Sequence, residues 1–289
     1  MNMKKVFLLA AVSLSLTGFA QKVNGNLNFK KGQKLEVVTQ VNSVVSMDMM
    51  GQSMETKVDL TINRAFDVED VTNGAAKIEH KVKRLQMNMD IPMMGQQSFD
   101  SEKESDMKGE GGKAAEKALK NKYSMMVDTK GNITTVKADD DNPNKNASST
   151  DMDMMSGAFG QGADGMTLPK AGEKVEFKVL PEKEVTKGES WTVDGKDSKS
   201  IYTLSDITDN EIIVTFTEEG KTERTQTTQG MEMLIKSTDK TTGKIILDKA
   251  SGIMKQRTST TNSEGNMEVM GQSMPMNTKI TKTVTVKGI

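Results

Sequence analysis

Residues 35–66 read LEVVTQVNSVVSMDMMGQSMETKVDLTINRAF. From Leu35 to Met49 the odd positions are Leu35, Val37, Thr39, Val41, Ser43, Val45, Met47 and Met49, while the even ones are mostly polar (Glu36, Gln40, Asn42, Ser46, Asp48). Period-two alternation over so long a run is the pattern of a strand with one buried face. Gly51-Gln52 suits a two-residue type II′ turn. With that turn Val37 faces Phe66, Val41 faces Ile62, Val45 faces Val58 and Met49 faces Met54, so apolar side chains meet on one face. At ~3.3 Å per residue the arms extend about 50 Å, longer than common strands. Strands of that length belong to a large curved or barrel-like sheet.

The same grammar continues outward. Ala76 to Val82 alternates with Ile78, His80 and Val82 on one side, and the alternation slips near Arg84, which predicts a β-bulge. Gly95-Gln96 reads as a second turn and Gly109 to Gly112 as a loop. The stretch GKAAEKALKNK predicts one short helix near residues 113–121, packed through Ala114, Ala115, Ala118 and Leu119. Gly271-Gln272 closes a last hairpin, in which Met267 is expected opposite Met276 and Val269 opposite Met274, before Thr278, Ile280, Val284 and Val286 alternate to the end.

Three ordered matches suggest an internal repeat. Lys31-Gly32-Gln33 recurs as Lys187-Gly188-Glu189, Phe66 with Asp70-Val71-Thr72-Asn73 as Tyr202 with Asp206-Ile207-Thr208-Asp209, and Val127-Asp128 with Gly131 as Leu247-Asp248 with Gly252. The expected fold is therefore all-β: long antiparallel hairpins from two similar halves, residues 21–137 and 167–289. Residues 138–166, rich in Asp, Asn, Gly and Met, read as a flexible linker.

The first twenty residues, MNMKKVFLLAAVSLSLTGFA, read as a signal peptide: Lys4 and Lys5, an apolar run, then Gly18 and Ala20 before Gln21. The run is too short to span a bilayer, so the expectation is export to the periplasm or medium without a transmembrane segment in the mature chain. Of 289 residues, 39 are basic and 40 acidic, giving a net charge of -1, which argues against nucleic-acid binding. Absence of Cys closes disulfide, thiol and thiolate-metal chemistry, and a single His closes imidazole clusters.

The element LPEKEVTKGESW (Leu180 to Trp191), with YTLSDITDNEIIV (Tyr202 to Val214) and IILDKASGI (Ile245 to Ile253), resembles an uncharacterised family of exported β-rich proteins of the Bacteroidota. The resemblance implies export and a β fold. It brings no activity and no catalytic residues.

No catalytic motif occurs: no G-x-S-x-G, H-E-x-x-H, P-loop or G-x-G-x-x-G. His80 reads as a packed residue, and the acidic run Asp139 to Asp141 with Asp151 and Asp153 lacks the spacing of a calcium loop. With so few aromatics, a sugar-stacking cleft is poorly supported. The expectation is a non-catalytic protein without a cofactor.

What does stand out is 24 Met. Met47, Met49 and Met54 share a face of the first hairpin tip, and Met267, Met274 and Met276 a face of the last. Flexible thioether side chains fill irregular apolar space and adapt to varied partners. Together with long curved strands, this points to binding of an apolar, lipid-like ligand or an envelope protein. The alternative is a Cu(I) or Ag(I) site of soft sulfur ligands built from those six residues. Scavenging of oxidants through methionine sulfoxide is a third use.

Overall fold

A computed structural model describes residues 21–49, 52–92, 95–143, 167–228, 231–269 and 271–289. The expected signal peptide and most of the expected linker (144–166) lie outside the described residues. The strands are β1 (Lys22–Val23), β2 (Lys34–Met49), β3 (Gln52–Thr72), β4 (Ala75–Ile91), β5 (Gly95–Asp100), β6 (Tyr123–Val127), β7 (Ile133–Ala138), β8 (Val185–Thr186), β9 (Ser190–Asp194), β10 (Ser198–Ile207), β11 (Glu211–Thr228), β12 (Met231–Asp248), β13 (Met254–Val269) and β14 (Gln272–Lys287). Two helices, α1 (Glu104–Met107) and α2 (Glu110–Leu119), lie between β5 and β6.

Twelve strands form one antiparallel sheet in the order β7-β6-β4-β3-β2-β14-β13-β12-β11-β10-β9, with β5 also on β4. The sheet is curved and does not close into a barrel. Its midline is the pairing of β2 with β14, so the first and last long strands join the two halves into one surface. Strands β1 and β8 form a separate two-stranded pair.

Alternation placed the strands it was read for, those of the first hairpin, the start of β4 and the end of β14, on their correct faces. Leu35, Val37, Thr39 and Val41 are buried, as are Leu60, Ile62, Arg64 and Phe66 opposite them. The register is not the one the turn suggested. Leu35 pairs with Phe66, Val41 with Leu60, Met47 with Met54 and Met49 with Gln52. The last hairpin slips in the same way: Met267 pairs with Met274 and Val269 with Gln272. A shift of two residues leaves each side chain on its original face, so the apolar pattern cannot distinguish the two registers. In the true register Val37 faces Arg64 and Thr39 faces Ile62, pairings that a rule of apolar against apolar passes over. Between β4 and β5 the connection is residues 92–94, because Ile91 pairs with Gly95; Gly95 opens the strand and is not in the turn. The bulge near Arg84 is present: Asn63 pairs with Arg84, but Arg64 with Val82.

Helix α2 begins three residues earlier than expected and α1 was not foreseen. Gly112 is the reason. A Cβ there would collide with the Met107 backbone, so glycines that read as a loop let the first turn of α2 pack closely on α1. Ala115 and Ala118 then cover Val41, Leu60, Ile62, Val82, Leu85 and Ile280.

A larger apolar cluster fills the other part of the concave face. There Leu27 and Phe29 from the chain before β2, and Val175, Phe177 and Leu180 from the chain before β8, cover Leu35, Phe66, Ile78, Leu204, Phe216, Ile245 and Leu247. Phe177 meets Phe66 edge-on at 5.1 Å and Phe29 at 6.2 Å.

His80 lies fully buried in this cluster, between Phe66 (4.8 Å) and Tyr123 (4.4 Å, stacked). Burial, and then the charge of Arg64, lower its pKa from 6.5 to about 3, against a small opposing contribution from the Asn121 backbone. In the unfolded chain His80 binds a proton below about pH 6.5, whereas the folded protein resists it until about pH 3. Stability is therefore full above 6.5 and falls as the pH drops through that window. Between pH 7 and pH 5, where few carboxylates titrate, the loss expected from His80 is about 2 kcal/mol. Urea unfolding of His80→Phe at both pH values should show most of that loss removed; an equal loss in both proteins would mean that His80 is charged or exposed when folded.

Candidate functional site

Two cavities share a wall on the concave face. One is a polar groove of about 440 Å³ whose lining includes Arg64, Glu176, Glu218, Asp239, Thr261 and Lys282. The other, about 670 Å³, is lined by Val179, Leu180, Pro181, Trp191, Val193, Tyr202, Ile245 and Met254, with Lys174, Lys178, Lys183 and Arg257 among its charged residues. Glu176, Met254 and Arg257 border both.

The second cavity is built on a cross-strand row. Trp191 of β9 pairs with Tyr202 of β10, Tyr202 with Phe216 of β11, and Phe216 with Gly243 of β12. The rings stack in sequence: Trp191 on Tyr202 at 5.6 Å, Tyr202 on Phe216 at 5.5 Å. Gly243 makes the next step possible. A Cβ there would overlap the Phe216 ring and the Thr258 carbonyl, so its absence lets the ring lie across β12. Arg257 of β13 then caps the ring, its guanidinium carbon 4.5 Å from the centroid, a favourable cation–π distance. An isolated Gly inside a strand often marks such a close approach.

The opposite wall comes from the segment before β8. It is held by Phe177 in the core and by an ion pair between Glu176 and Arg64 of β3 at 2.9 Å. The Lys178 ammonium donates to the Gly25 carbonyl. Burial and then the nearby charge of Lys174 lower its pKa to about 8. Glu182 at the mouth pairs with Lys174 (2.9 Å) and Lys130 (3.4 Å).

The methionines lie elsewhere on the same concave face. Met54, Met47 and Met276 stand side by side across β3, β2 and β14. Met274 follows Met276 on the same face of β14 and pairs with Met267 of β13. The two groups that the sequence placed on separate hairpins are thus one patch, joined by the β2–β14 pairing. These five side chains are half-buried, unlike Met125 and Met254, which are core residues. The side chain of Met49 lies outside the described residues. The stretch Leu180 to Trp191 stood out in the sequence only as a family resemblance; nothing marked it as a pocket wall, because the lining is gathered from β9, β10, β12, β13 and the segment before β8.

A family described as being of unknown function (DUF6263) matches residues 73–254. The chain belongs to DUF6263. In this DUF6263 protein every residue lining the Trp191 pocket except Arg257 lies within the matched stretch. No curated protein matches the chain. Among solved structures it is similar to one titled lipid–protein interactions in lipovitellin, at 12% identity and a TM-score of 0.49, covering 90% of this chain and 26% of that one. It is also similar to the COG4313 outer membrane channel from Pseudomonas putida F1, at 7% identity and a TM-score of 0.26, covering 90% and 97%. The DUF6263 protein thus spans about a quarter of the lipovitellin chain. No helix among its described residues is long and apolar enough to cross a membrane.

Proposed function

We propose that this is an exported, non-catalytic binding module that holds an apolar, lipid-like ligand in the pocket between Trp191 and Tyr202 of the aromatic row and the Val179–Leu180 wall. The observation that carries the reading is the pocket itself. Its volume, about 670 Å³, lies within the range of small-molecule sites, and it sets an aromatic and aliphatic surface (Val179, Leu180, Trp191, Tyr202, Ile245, Met254) beside a rim of charged residues. Export is supported by the leader-like first twenty residues and by the resemblance of Leu180 to Trp191 to exported Bacteroidota proteins. The stretch that carries that resemblance supplies Leu180, Pro181, Glu182, Lys183 and Trp191 to the pocket.

Two similar halves are supported by matching bonds. Gly32 N–H donates to Val68 O and Val68 N–H to Gln33 O, as Gly188 does to Leu204 and Leu204 to Glu189. Lys31 pairs with Asp70, and Lys187 with Asp206.

Native mass spectrometry of the chain from Gln21, purified from its exported form, tests the reading. Lipid-sized adducts that extract into organic solvent are expected, together with a change in the fluorescence of Trp191, the single Trp, on stripping. A bare mass with unchanged fluorescence would remove the carrier reading and leave an envelope protein as the partner to seek.

A second reading rests on the methionine patch. Side chains directly opposite on adjacent strands lie about 5 Å apart at Cβ, so the thioethers of Met54, Met47 and Met276 can converge on one soft cation. Stoichiometric Cu(I) uptake under reducing conditions, lost when Met47, Met274 and Met276 become Leu, is the expected result of that reading. Undiminished uptake by the triple variant, or none by the parent, would retire it.

A further inference from the structure

We propose that the pocket takes a single-chain amphiphile with a carboxylate head, and that Arg257 is the residue that recognises the head. The inference rests on the apolar-ligand reading above and names the chemistry that the site selects.

Charge accounting within the pocket leads to it. The two carboxylates that line it are already committed: Glu176 to Arg64, and Glu182 to Lys174 and Lys130. Arg257 has no carboxylate partner among the described residues. It differs in this from Arg64 and from Arg84, which holds Asp100 at 2.6 Å. Among the described residues Lys178 donates to a neutral carbonyl and forms no ion pair. The pocket lining therefore holds more cations (Lys174, Lys178, Lys183, Arg257) than carboxylates (Glu176, Glu182) beside an apolar chamber; the groove beyond Arg257 adds Asp197, Glu218 and Asp239 but also Arg64, Lys221 and Lys282, so positive charge stays in excess across the two.

The geometry of Arg257 specifies the head further. Phe216 takes one face of the guanidinium, which leaves the N–H edge as the group's hydrogen-bonding side. That edge matches the two oxygens of a carboxylate in a bidentate pair. Arg257 also stands where the polar groove and the apolar pocket meet. A head bound there faces the polar groove, while its chain runs along Ile245 and Met254 toward Trp191. At about 670 Å³ the chamber is of the size that encloses one small ligand, which favours one acyl chain over two.

The test is a titration of the delipidated chain from Gln21 with oleate and with oleyl alcohol, read by Trp191 fluorescence. The two probes share a chain and differ in the head. Oleate should bind saturably and at least roughly tenfold more tightly than the alcohol, because a charged hydrogen-bonded pair is worth more than a neutral contact. Arg257→Gln should weaken oleate by roughly 10- to 100-fold and leave the alcohol unchanged. Arg257→Lys, which keeps the charge but loses the fork, should fall between. Thermal melts of both variants establish that they are folded, and either one suffices to read the effect.

Equal affinities for oleate and alcohol, or oleate binding indifferent to Arg257, would overturn the carboxylate inference while leaving the apolar pocket standing. Binding of neither probe would overturn the pocket reading and this inference together.

Discussion

Replacing Phe177 with Ala is expected to lower the unfolding free energy by about 3–5 kcal/mol, the usual cost of removing a buried phenyl ring. The ring is fully buried and contacts Phe66 and Phe29 edge-on. Residues 167–184 contain no strand or helix; backbone bonds tie Gly172, Glu173 and Val175 to Gly131 and Ile133, and beyond Val175 side chains hold the segment to the sheet, Phe177 foremost among them. Without the ring, the segment loses its main apolar anchor and Val179 and Leu180 lose their place as the pocket wall. Urea unfolding followed by circular dichroism measures the first effect and Trp191 emission the second. A midpoint within error of the parent would mean that the wall is held by something other than Phe177.

Glu176→Ala should cost about 3 kcal/mol, at the lower end of what breaking a buried pair costs. The Arg64 side chain is 3% exposed and Glu176 is 29% exposed. Removing Glu176 therefore strands a guanidinium that is nearly buried and without its carboxylate, beside the Thr39 hydroxyl at 3.5 Å and the Phe66 ring at 5.6 Å. The lower end is appropriate because Glu176, being partly wet, loses less solvation on folding. The double variant Arg64→Met with Glu176→Ala should recover most of the loss, since it removes the buried charge along with its partner. If the double variant is instead less stable than Glu176→Ala alone, Arg64 contributes through packing and not through its pair. The same double variant should raise the pKa of His80, because the Arg64 charge is the second cause of its depression.

Much of the fold was legible in local pattern. Period-two alternation from Leu35 to Met49 assigned the buried face correctly, because side-chain direction in a strand depends only on parity. The slip near Arg84 was legible for the same reason. Register was not, because a slip of two preserves parity, and the loops that select it contribute only a couple of residues each. Helix α1 and the early start of α2 were hidden by Gly109 to Gly112, whose role is close packing against Met107.

The candidate pocket was far less legible. Trp191, Tyr202, Phe216 and Arg257 are spaced along four strands at intervals with no common period. Only hydrogen-bonded pairing brings them into one row, and Gly243 takes part by having no side chain. The methionine patch was half visible. Each trio follows from alternation near a hairpin tip, whereas their union depends on β2 pairing with β14, strands at opposite ends of the chain.

The sequence by itself determined the β class, the first and last long hairpins, the buried face of the strands that alternate cleanly and the chemistry closed to a chain with no Cys and one His, since these depend on composition and on neighbours within a few residues. Only the tertiary structure decided that the halves form one open sheet, that five methionines share a patch, and that Arg257 has no carboxylate ion-pair partner among the described residues and stands beside an aromatic wall. Those facts depend on contacts between residues far apart in the chain, which no local pattern encodes.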